Sequence, residues 1–334
     1  MAFEVYGAGK TDTPQKSDVD FDAINAYVVE TAGLQNRETM VGVISMIVDL
    51  GEQNLPDAEN TFTGNAAEEA EQIAAKPDTY FKDGFDHDTK KNVRLKCYPQ
   101  KPQQCVAFAV DFPDILVDKG QFFGDSTPLP LRMWLGGQFY IQGSGMVVGR
   151  PTPLKYTNLD KTRKTKVWSL GQLTLPYKMA VASKLIKAGE PFLPDRVDEL
   201  LGKALQFTTQ IYFKAGKNDK KYYTEYINFA AATGRGQAIP TLVGEPMLVQ
   251  FNVDNGKDAI KNMRNHVVNT IKCANNYEGS PIQAQIEEVR GGKPAESAPA
   301  TPAPVAAKPA AAPVKQAAPQ PAEDFDSFDD DIPF

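Results

Sequence analysis

Residues 205–214 read LQFTTQIYFK, and their apolar and polar side chains alternate with a period of two. This period is typical of a β-strand with one buried face, because successive side chains of a strand point to opposite faces. Residues 215–219 (AGKND) predict a turn, and YYTEYINF at 222–229 predicts the returning strand of an antiparallel hairpin. We therefore expect a β-sheet at the centre of the fold.

Other strands and helices are predicted on both sides of this hairpin. Residues 93–98 and 104–112 are expected to pair as a second hairpin, and glycines between the short runs at 131–135, 138–141 and 146–148 suggest bulges or tight bends. Further strands are predicted at 40–50 and 245–253, and helices at 65–76, 176–188, 196–202 and 257–275. The expected fold class is a β-rich α+β fold, an OB-like barrel with helical insertions and a C-terminal helix.

A change of composition divides the chain near its end. From about Gly291 to Ala322 the sequence is dominated by Pro, Ala, Lys and Gln, which predicts an extended, disordered linker because little can be buried. The expected organisation is an N-terminal extension at 1–38, an OB-like body at 39–290, the linker at 291–322 and an acidic tip at 323–334.

The charge is distributed unevenly along the chain. Residues 150–235 hold 16 Lys or Arg against 7 Asp or Glu, whereas residues 1–91 hold 7 against 18. A protein that binds nucleic acid needs a basic surface to replace the counterions of the phosphates. The net charge of −6 therefore does not exclude such a function.

Cations and aromatic residues occur together in the basic region. Proteins that bind single strands without sequence preference combine both, because bases stack on aromatic faces while cations follow the backbone. The hairpin contributes Tyr212, Lys214, Lys217, Lys220, Lys221, Tyr222, Tyr223 and Tyr226. A preceding loop contributes Lys161, Arg163, Lys164, Lys166 and Trp168, and a third group contains Arg132, Trp134, Arg150 and Lys155. The alternative is that the aromatic residues belong to the core and the lysines to solvated turns.

The sequence offers little for catalysis or for metal binding. Cys97, Cys105 and Cys273 follow no metal-ligand spacing, and the chain has only two histidines, so we expect reduced thiols, no zinc and no cofactor. GAGKT at 7–11 lacks the glycine spacing of a phosphate-binding loop. We expect no enzymatic activity. No run of about 20 apolar residues and no signal peptide is present, so no membrane association and a cytoplasmic location are expected.

The end of the chain reads DFDSFDDDIPF, residues 324–334. From Asp329 to Phe334 it resembles, residue for residue, the C-terminal tip of bacterial single-stranded DNA-binding proteins. The resemblance covers only the tip and its linker. It implies that the tip recruits replication, recombination and repair proteins and can lie on the protein's own DNA-binding face until DNA displaces it. The residues assigned to partner binding in this way are Asp329, Asp330, Asp331, Ile332, Pro333 and Phe334.

The body is larger than that of the resembled family and lacks its recognisable sequence, so the family's tetrameric assembly is not carried over and the oligomeric state stays open. A phage-encoded member would explain a host-type tip on this body. The expected function is sequence-tolerant binding and protection of single-stranded DNA, with partner recruitment through the tip. The alternatives are a recombination mediator or strand-annealing protein, or a nucleic-acid enzyme with a borrowed tip.

Overall fold

The computed structural model describes residues 20–55, 57–86, 89–124, 126–136, 152–160, 162, 164–215 and 221–290. Its strands are β1 (Glu38–Gln53), β2 (Ala58–Phe62), β3 (Tyr80–Asp86), β4 (Lys91–Tyr98), β5 (Gln103–Val117), β6 (Leu129–Leu135), β7 (Thr152–Pro153), β8 (Tyr156–Asn158), β9 (Trp168–Leu170), β10 (Ala204–Ala215), β11 (Lys221–Ala232) and β12 (Met247–Val249). Its helices are α1 (Phe21–Ala32), α2 (Ala66–Ala75), α3 (Leu175–Ala182), α4 (Lys257–Asn262), α5 (Asn265–Lys272) and α6 (Pro281–Arg290). Short 3₁₀ turns lie at Gly120–Phe123 and Pro194–Leu200.

The larger of two structural units contains a seven-stranded sheet. Its main path runs β11-β10-β1-β5-β6 with antiparallel neighbours, while β12 pairs parallel with β1 and β7 pairs with β5. The hairpin predicted from residues 205–229 is confirmed as β10 and β11. Leu205, Phe207 and Ile211 are fully buried, as the period of two predicts.

The sheet is covered on two sides. Ile24 and Val28 of α1 and Met179 of α3 join Phe108, Phe112 and Phe207 in the main core. Met133 and Leu135 of β6 also belong to this core, so Trp134 between them points to the other face. There the ring of His266, from α5, meets the Trp134 ring edge-on with centroids 6.1 Å apart. His266 of α5 therefore packs against the face of β6 that was expected to be open.

The large sheet is curled but open. β11 approaches β6, the strand at the other end of the main path. Arg264 donates to the carboxylate of Glu225 on β11 at 2.7 Å and to the carbonyl of Arg132 on β6. In the described residues a side chain, rather than a ladder of main-chain bonds, joins the two strands. The β-rich α+β class is thus confirmed, whereas the described sheets do not close into the expected barrel.

The smaller unit lies within residues 55–101. It contains α2 and a three-stranded antiparallel sheet in the order β2-β4-β3, with the Phe62 and Phe81 rings in edge contact. The predicted pairing of 93–98 with 104–112 is wrong, because β4 belongs to this sheet and β5 to the large one. β5 is buried from Cys105 to Phe112, so it occupies a central position between β1 and β6.

Several helix predictions also need correction. The helix predicted at 257–275 is two helices, because Met263 and Arg264 are extended. Of the helix predicted at 176–188, only the part up to Ala182 is helical, within α3. In place of the helix predicted at 196–202, the chain forms the 3₁₀ turn Pro194–Leu200. α1 lies in the expected N-terminal extension but contributes to the core, and α6 was not predicted. The strands predicted at 138–141 and 146–148 lie outside the described residues.

Candidate nucleic-acid interface

The pairing of β10 with β11 brings four of the predicted DNA-binding residues to one face of the sheet. Lys214 lies opposite Tyr222, Tyr212 opposite Thr224, and Gln210 opposite Tyr226. Directly opposed residues share a face, and Ile211 and Phe213 between them pack on the core. The aromatic face, as we call it, therefore consists of Tyr212, Lys214, Tyr222 and Tyr226.

The aromatic face is accessible to a ligand. Tyr222 is 50% exposed, and Lys214 and the neighbouring Lys221 are exposed. Tyr212 and Tyr226 are partly buried, which fixes their rings while leaving part of each surface open. Exposed cations beside fixed aromatic rings are what a stacking site for bases requires.

Sequence analysis missed a further cation at this face, Arg37. Its guanidinium lies 4.5 Å from the centroid of the Tyr226 ring. The segment before β1 is held beside β10, because the Gln210 side chain donates to the Gln35 carbonyl at 2.8 Å and the Ile211 amide donates to the Leu34 carbonyl at 2.7 Å. In the sequence, only the position of Arg37 just before a strand could have indicated that it lies beside the aromatic face.

The one carboxylate of β10 and β11, Glu225, is turned away from the aromatic face. It lies opposite Ile211, and its side chain is only 6% exposed. Burial alone would raise the pKa of Glu225, but the charge of Arg264 and hydrogen bonds from Tyr223 and Arg264 hold it below its usual value. The aromatic face thus carries cations without a carboxylate from its own strands.

Tyr223, predicted as a DNA contact, belongs to the inner side. Its hydroxyl donates to Glu225 at 2.7 Å, and its ring makes an edge contact with Phe213. Burial and the charge of Glu225 raise the pKa of Tyr223 well above its usual value. The Tyr223 hydroxyl therefore stays protonated, and it donates its hydrogen bond to Glu225 of the buried ion pair with Arg264.

Arg132 and Trp134 are not presented to solvent as predicted. The Arg132 guanidinium makes two hydrogen bonds to the carboxylate of Asp111, at 2.6 and 2.9 Å. Trp134 is 2% exposed and lies against His266. Trp134 therefore offers no surface to a nucleotide, and the Arg132 side chain, 26% exposed, is already paired with Asp111.

The predicted basic loop lies between β8 and β9. Lys164 and Lys166 are exposed, and Trp168 at the start of β9 is 51% exposed. Lys155, just before β8, is partly buried, and its carbonyl accepts a hydrogen bond from the Gly171 amide at 2.9 Å. The other predicted residues lie outside the described residues, namely Arg150, Lys161, Arg163, Lys217, Lys220 and the tip residues Asp329, Asp330, Asp331, Ile332, Pro333 and Phe334.

Other features of the described residues give no sign of a catalytic or metal centre. A cavity of about 280 Å³ is lined by Phe251 and by polar residues that include two carboxylates, Asp49 and Glu52. Asp49 already accepts bonds from the Gly51 amide at 3.0 Å and from Gln104 at 2.8 Å. No three potential metal ligands lie together in the part of the chain that the structure describes. Burial raises the pKa of Cys105 to about 12, which keeps this thiol protonated. Among the described helices, none has the length and apolarity to span a bilayer.

Neither a protein-family model, nor a curated protein, nor a solved structure matches this chain.

Proposed function

We propose that this protein binds single-stranded DNA with little sequence preference, protects it during replication, recombination and repair, and recruits partner proteins through its acidic tip. The observation that carries the proposal is the aromatic face. Three tyrosines and Lys214 share one face of the strands β10 and β11, while the one carboxylate of these two strands is buried on the other side.

The chemistry of this face favours single strands over duplexes. The flat face of a base is available for stacking on tyrosine only when the base is unpaired, and each stacked base contributes roughly 1–3 kcal/mol. Lys214 and Arg37 at the aromatic face, and exposed Lys221 at the turn end of β11, supply positive charge for the backbone. Stacking and phosphate contacts are tolerant of sequence because every base has an aromatic face and every nucleotide has a phosphate.

The path of the large sheet supports an OB-like interpretation. The strands on its main path are, in chain order, β1, β5, β6, β10 and β11. β11, the fifth, approaches β6, the third. α3 lies in the chain between β6 and β10, the third and fourth strands. OB folds are partly open five-stranded barrels that bind oligonucleotides with the face of strands two and three and with loops that include the one between strands four and five. α5 covers the first of these surfaces at Trp134, so we assign binding to the β10–β11 hairpin.

The acidic tip supports partner recruitment by its sequence alone. An apolar pocket on a partner would hold Ile332 and Phe334, and the aspartates would steer the tip to a basic surface. Partners of this kind act on DNA in the bacterial cytoplasm, or in the host cytoplasm for a phage-encoded chain. We propose that location for this protein.

The test is fluorescence anisotropy of a labelled oligothymidine titrated with the full chain, with unlabelled duplex as competitor. We expect tight binding that duplex does not displace. The double variant Tyr212→Ala and Tyr222→Ala should weaken binding at least about five-fold. This factor corresponds to about 1 kcal/mol, the lower limit for the stacking of one base. Phe123→Ala, which removes another exposed ring, is the control, since Phe123 is 58% and Tyr222 50% exposed. Absence of binding, or equal binding of duplex, would overturn the proposal.

A further inference from the structure

The short hairpin of β8 and β9 carries two exposed aromatic rings. Asn158 pairs with Trp168, and Tyr156 pairs with Leu170. The rings of Tyr156 and Trp168 therefore occupy diagonal positions on one face, which are about 7–8 Å apart in an antiparallel pair. Tyr156 is 59% exposed and Trp168 is 51% exposed. Their spacing places both rings within reach of successive bases of one strand.

This hairpin is anchored at its base. Leu170 belongs to the main core, and its amide donates to the Phe192 carbonyl at 2.8 Å. The buried hydroxyl of Ser169 accepts a bond from the Phe192 amide at 3.0 Å. The two exposed rings therefore stand on a fixed support rather than on a loose loop.

Asp160 organises the loop between the two strands. One carboxylate oxygen accepts the amide and hydroxyl of Thr162 at 2.9 and 2.6 Å, and the other accepts those of Thr165 at 2.7 and 2.6 Å. These hydrogen bonds hold the pKa of Asp160 well below its usual value. Asn158 adds bonds from the amides of Asp160 at 3.1 Å and Val167 at 3.0 Å.

The described residues of this loop are tied to Asp160 through Thr162 and Thr165, and they include cations. Lys164 and Lys166 are exposed and precede Trp168. The only acidic residue of segment 155–170, Asp160, is occupied by hydrogen bonds within the loop. The charge of the hairpin is thus complementary to a phosphate backbone.

We propose that the β8–β9 hairpin is a second subsite for single-stranded DNA, in which bases stack on Tyr156 and Trp168 and phosphates contact Lys164 and Lys166. This proposal rests on the proposed function and adds to it a binding site distinct from the aromatic face. Tyr156 is a contact that sequence analysis did not identify. Asp160 acts as a positioning residue, because it sets the loop rather than touching the ligand.

Tryptophan fluorescence gives a direct test, because the chain has two tryptophans and only Trp168 is exposed. Titration of the full chain with oligothymidine, excited where tyrosine does not absorb, should quench the emission as a thymine stacks on Trp168. The quench should persist in Trp134→Phe and be lost in Trp168→Phe. Anisotropy of the same mixtures measures total binding independently.

Variants of Tyr156 test the second ring. Tyr156→Ala should weaken oligothymidine binding at least about five-fold, whereas Tyr156→Phe, which keeps the ring, should bind like the parent protein. Phe123→Ala serves again as the control for loss of an exposed ring. Matching thermal melts by circular dichroism would exclude unfolding as the cause of a weaker Tyr156→Ala.

The outcomes separate this inference from the proposed function. If anisotropy reports binding while Trp168 emission is unchanged and Tyr156→Ala binds as tightly as Phe123→Ala, the hairpin is not a subsite although the proposed function stands. If neither signal reports binding, the proposed function fails and this inference fails with it. Binding with a quench that Trp168→Phe removes supports both.

Discussion

The imidazole of His266 lies edge-on to buried Trp134 and near the charges of Arg264 and Glu225. Burial, and then the positive charge of Arg264, lower the pKa of His266 to about 4, against the opposing effect of Glu225. The neutral form therefore fits the folded protein, whereas the unfolded chain takes up a proton near the ordinary value of about 6.5. His266 thus links protonation to folding.

We predict that folding stability decreases as the pH falls from about 6.5 towards about 4, because the unfolded state binds more protons than the folded state in this window. The contribution of His266 is on the order of 2–3 kcal/mol at the acid end. Urea unfolding followed by circular dichroism at several pH values would measure it. Carboxylates also titrate there, so the informative quantity is the difference from His266→Gln, which should lose this part of the slope. Equal slopes would refute the role of His266.

Gly51 lies at an irregularity of β1, where the pairing register with β5 shifts between Asp49 and Glu52 and where a side chain would be crowded. Its φ is +74°, and a Cβ there would lie 2.3 Å from the Phe251 ring. Gly33 has a similar φ of +69° but open space around it. A comparison of alanine substitutions at Gly33 and Gly51 therefore separates the free-energy cost of backbone strain from that of side-chain crowding.

Gly33→Ala should destabilise the protein by about 1 kcal/mol, the cost of a left-handed backbone for a residue with a Cβ. Gly51→Ala should cost about 1–3 kcal/mol more, because the Phe251 ring must move. Chemical unfolding of the two variants and the parent measures the difference. Equal losses would show that the ring moves without cost.

At the scale of elements, the hairpin of β10 and β11 could be predicted because alternation is a local signal. α1 also carried local signals that were overlooked. The Asp20 carboxylate accepts the amides of Asp22 and Ala23 at 3.0 Å, and Gly33 ends the helix. The partner of β4 and the break between α4 and α5 could not be predicted, because they depend on distant residues. Arg264 at that break reaches both Glu225 and Arg132.

The candidate site was predicted only in part for the same reason. Sequence shows that aromatic residues and cations are close along the chain, but not which of them a helix will cover. Trp134 and Trp168 look alike in sequence, yet α5 buries the first and the second remains exposed. Likewise Tyr222 and Tyr223 are neighbours that face opposite sides of one strand.

Two acidic residues near the β8–β9 hairpin should respond in opposite ways to removal of their charge. Asp195 is exposed, and after burial its charge is the second cause that raises the pKa of Tyr156. Asp195→Asn should therefore tighten oligothymidine binding by about two-fold, since an unfavourable charge is removed. Asp160→Ala removes a charge too, but it should weaken binding because the loop loses its hydrogen bonds. Anisotropy titrations compare both variants with the parent, and tighter binding by Asp160→Ala would contradict the positioning role.

The whole molecule separates opposite charges along one chain. The six carboxylates of residues 323–334 stand apart in sequence from the basic region at 150–235. A phosphate backbone and an acidic tip are attracted to the same kind of surface. We therefore expect DNA binding and the tip to influence each other.

Deletion of residues 323–334 should preserve or tighten binding of oligothymidine and abolish recruitment of partner proteins. For the full chain, affinity should fall with salt, and each lysine lost from the site should reduce the slope of log K against log salt by about 0.7. Lys214→Ala together with Lys221→Ala tests this, with Lys272→Ala on α5 as an exposed control. Anisotropy at several salt concentrations gives the slopes. Weaker binding after the deletion, or an unchanged slope in the double variant, would count against the proposed site.

The bridge that Arg264 makes between β11 and β6 bears on how this protein behaves at high concentration. Strands at the ends of a sheet carry unsatisfied main-chain donors and acceptors, and these are templates on which another molecule can add a strand and begin an aggregate. Here the two end strands approach each other, and a guanidinium is bonded to both. We therefore expect the ion pair to make both strand edges less available to neighbouring molecules and so to limit aggregation.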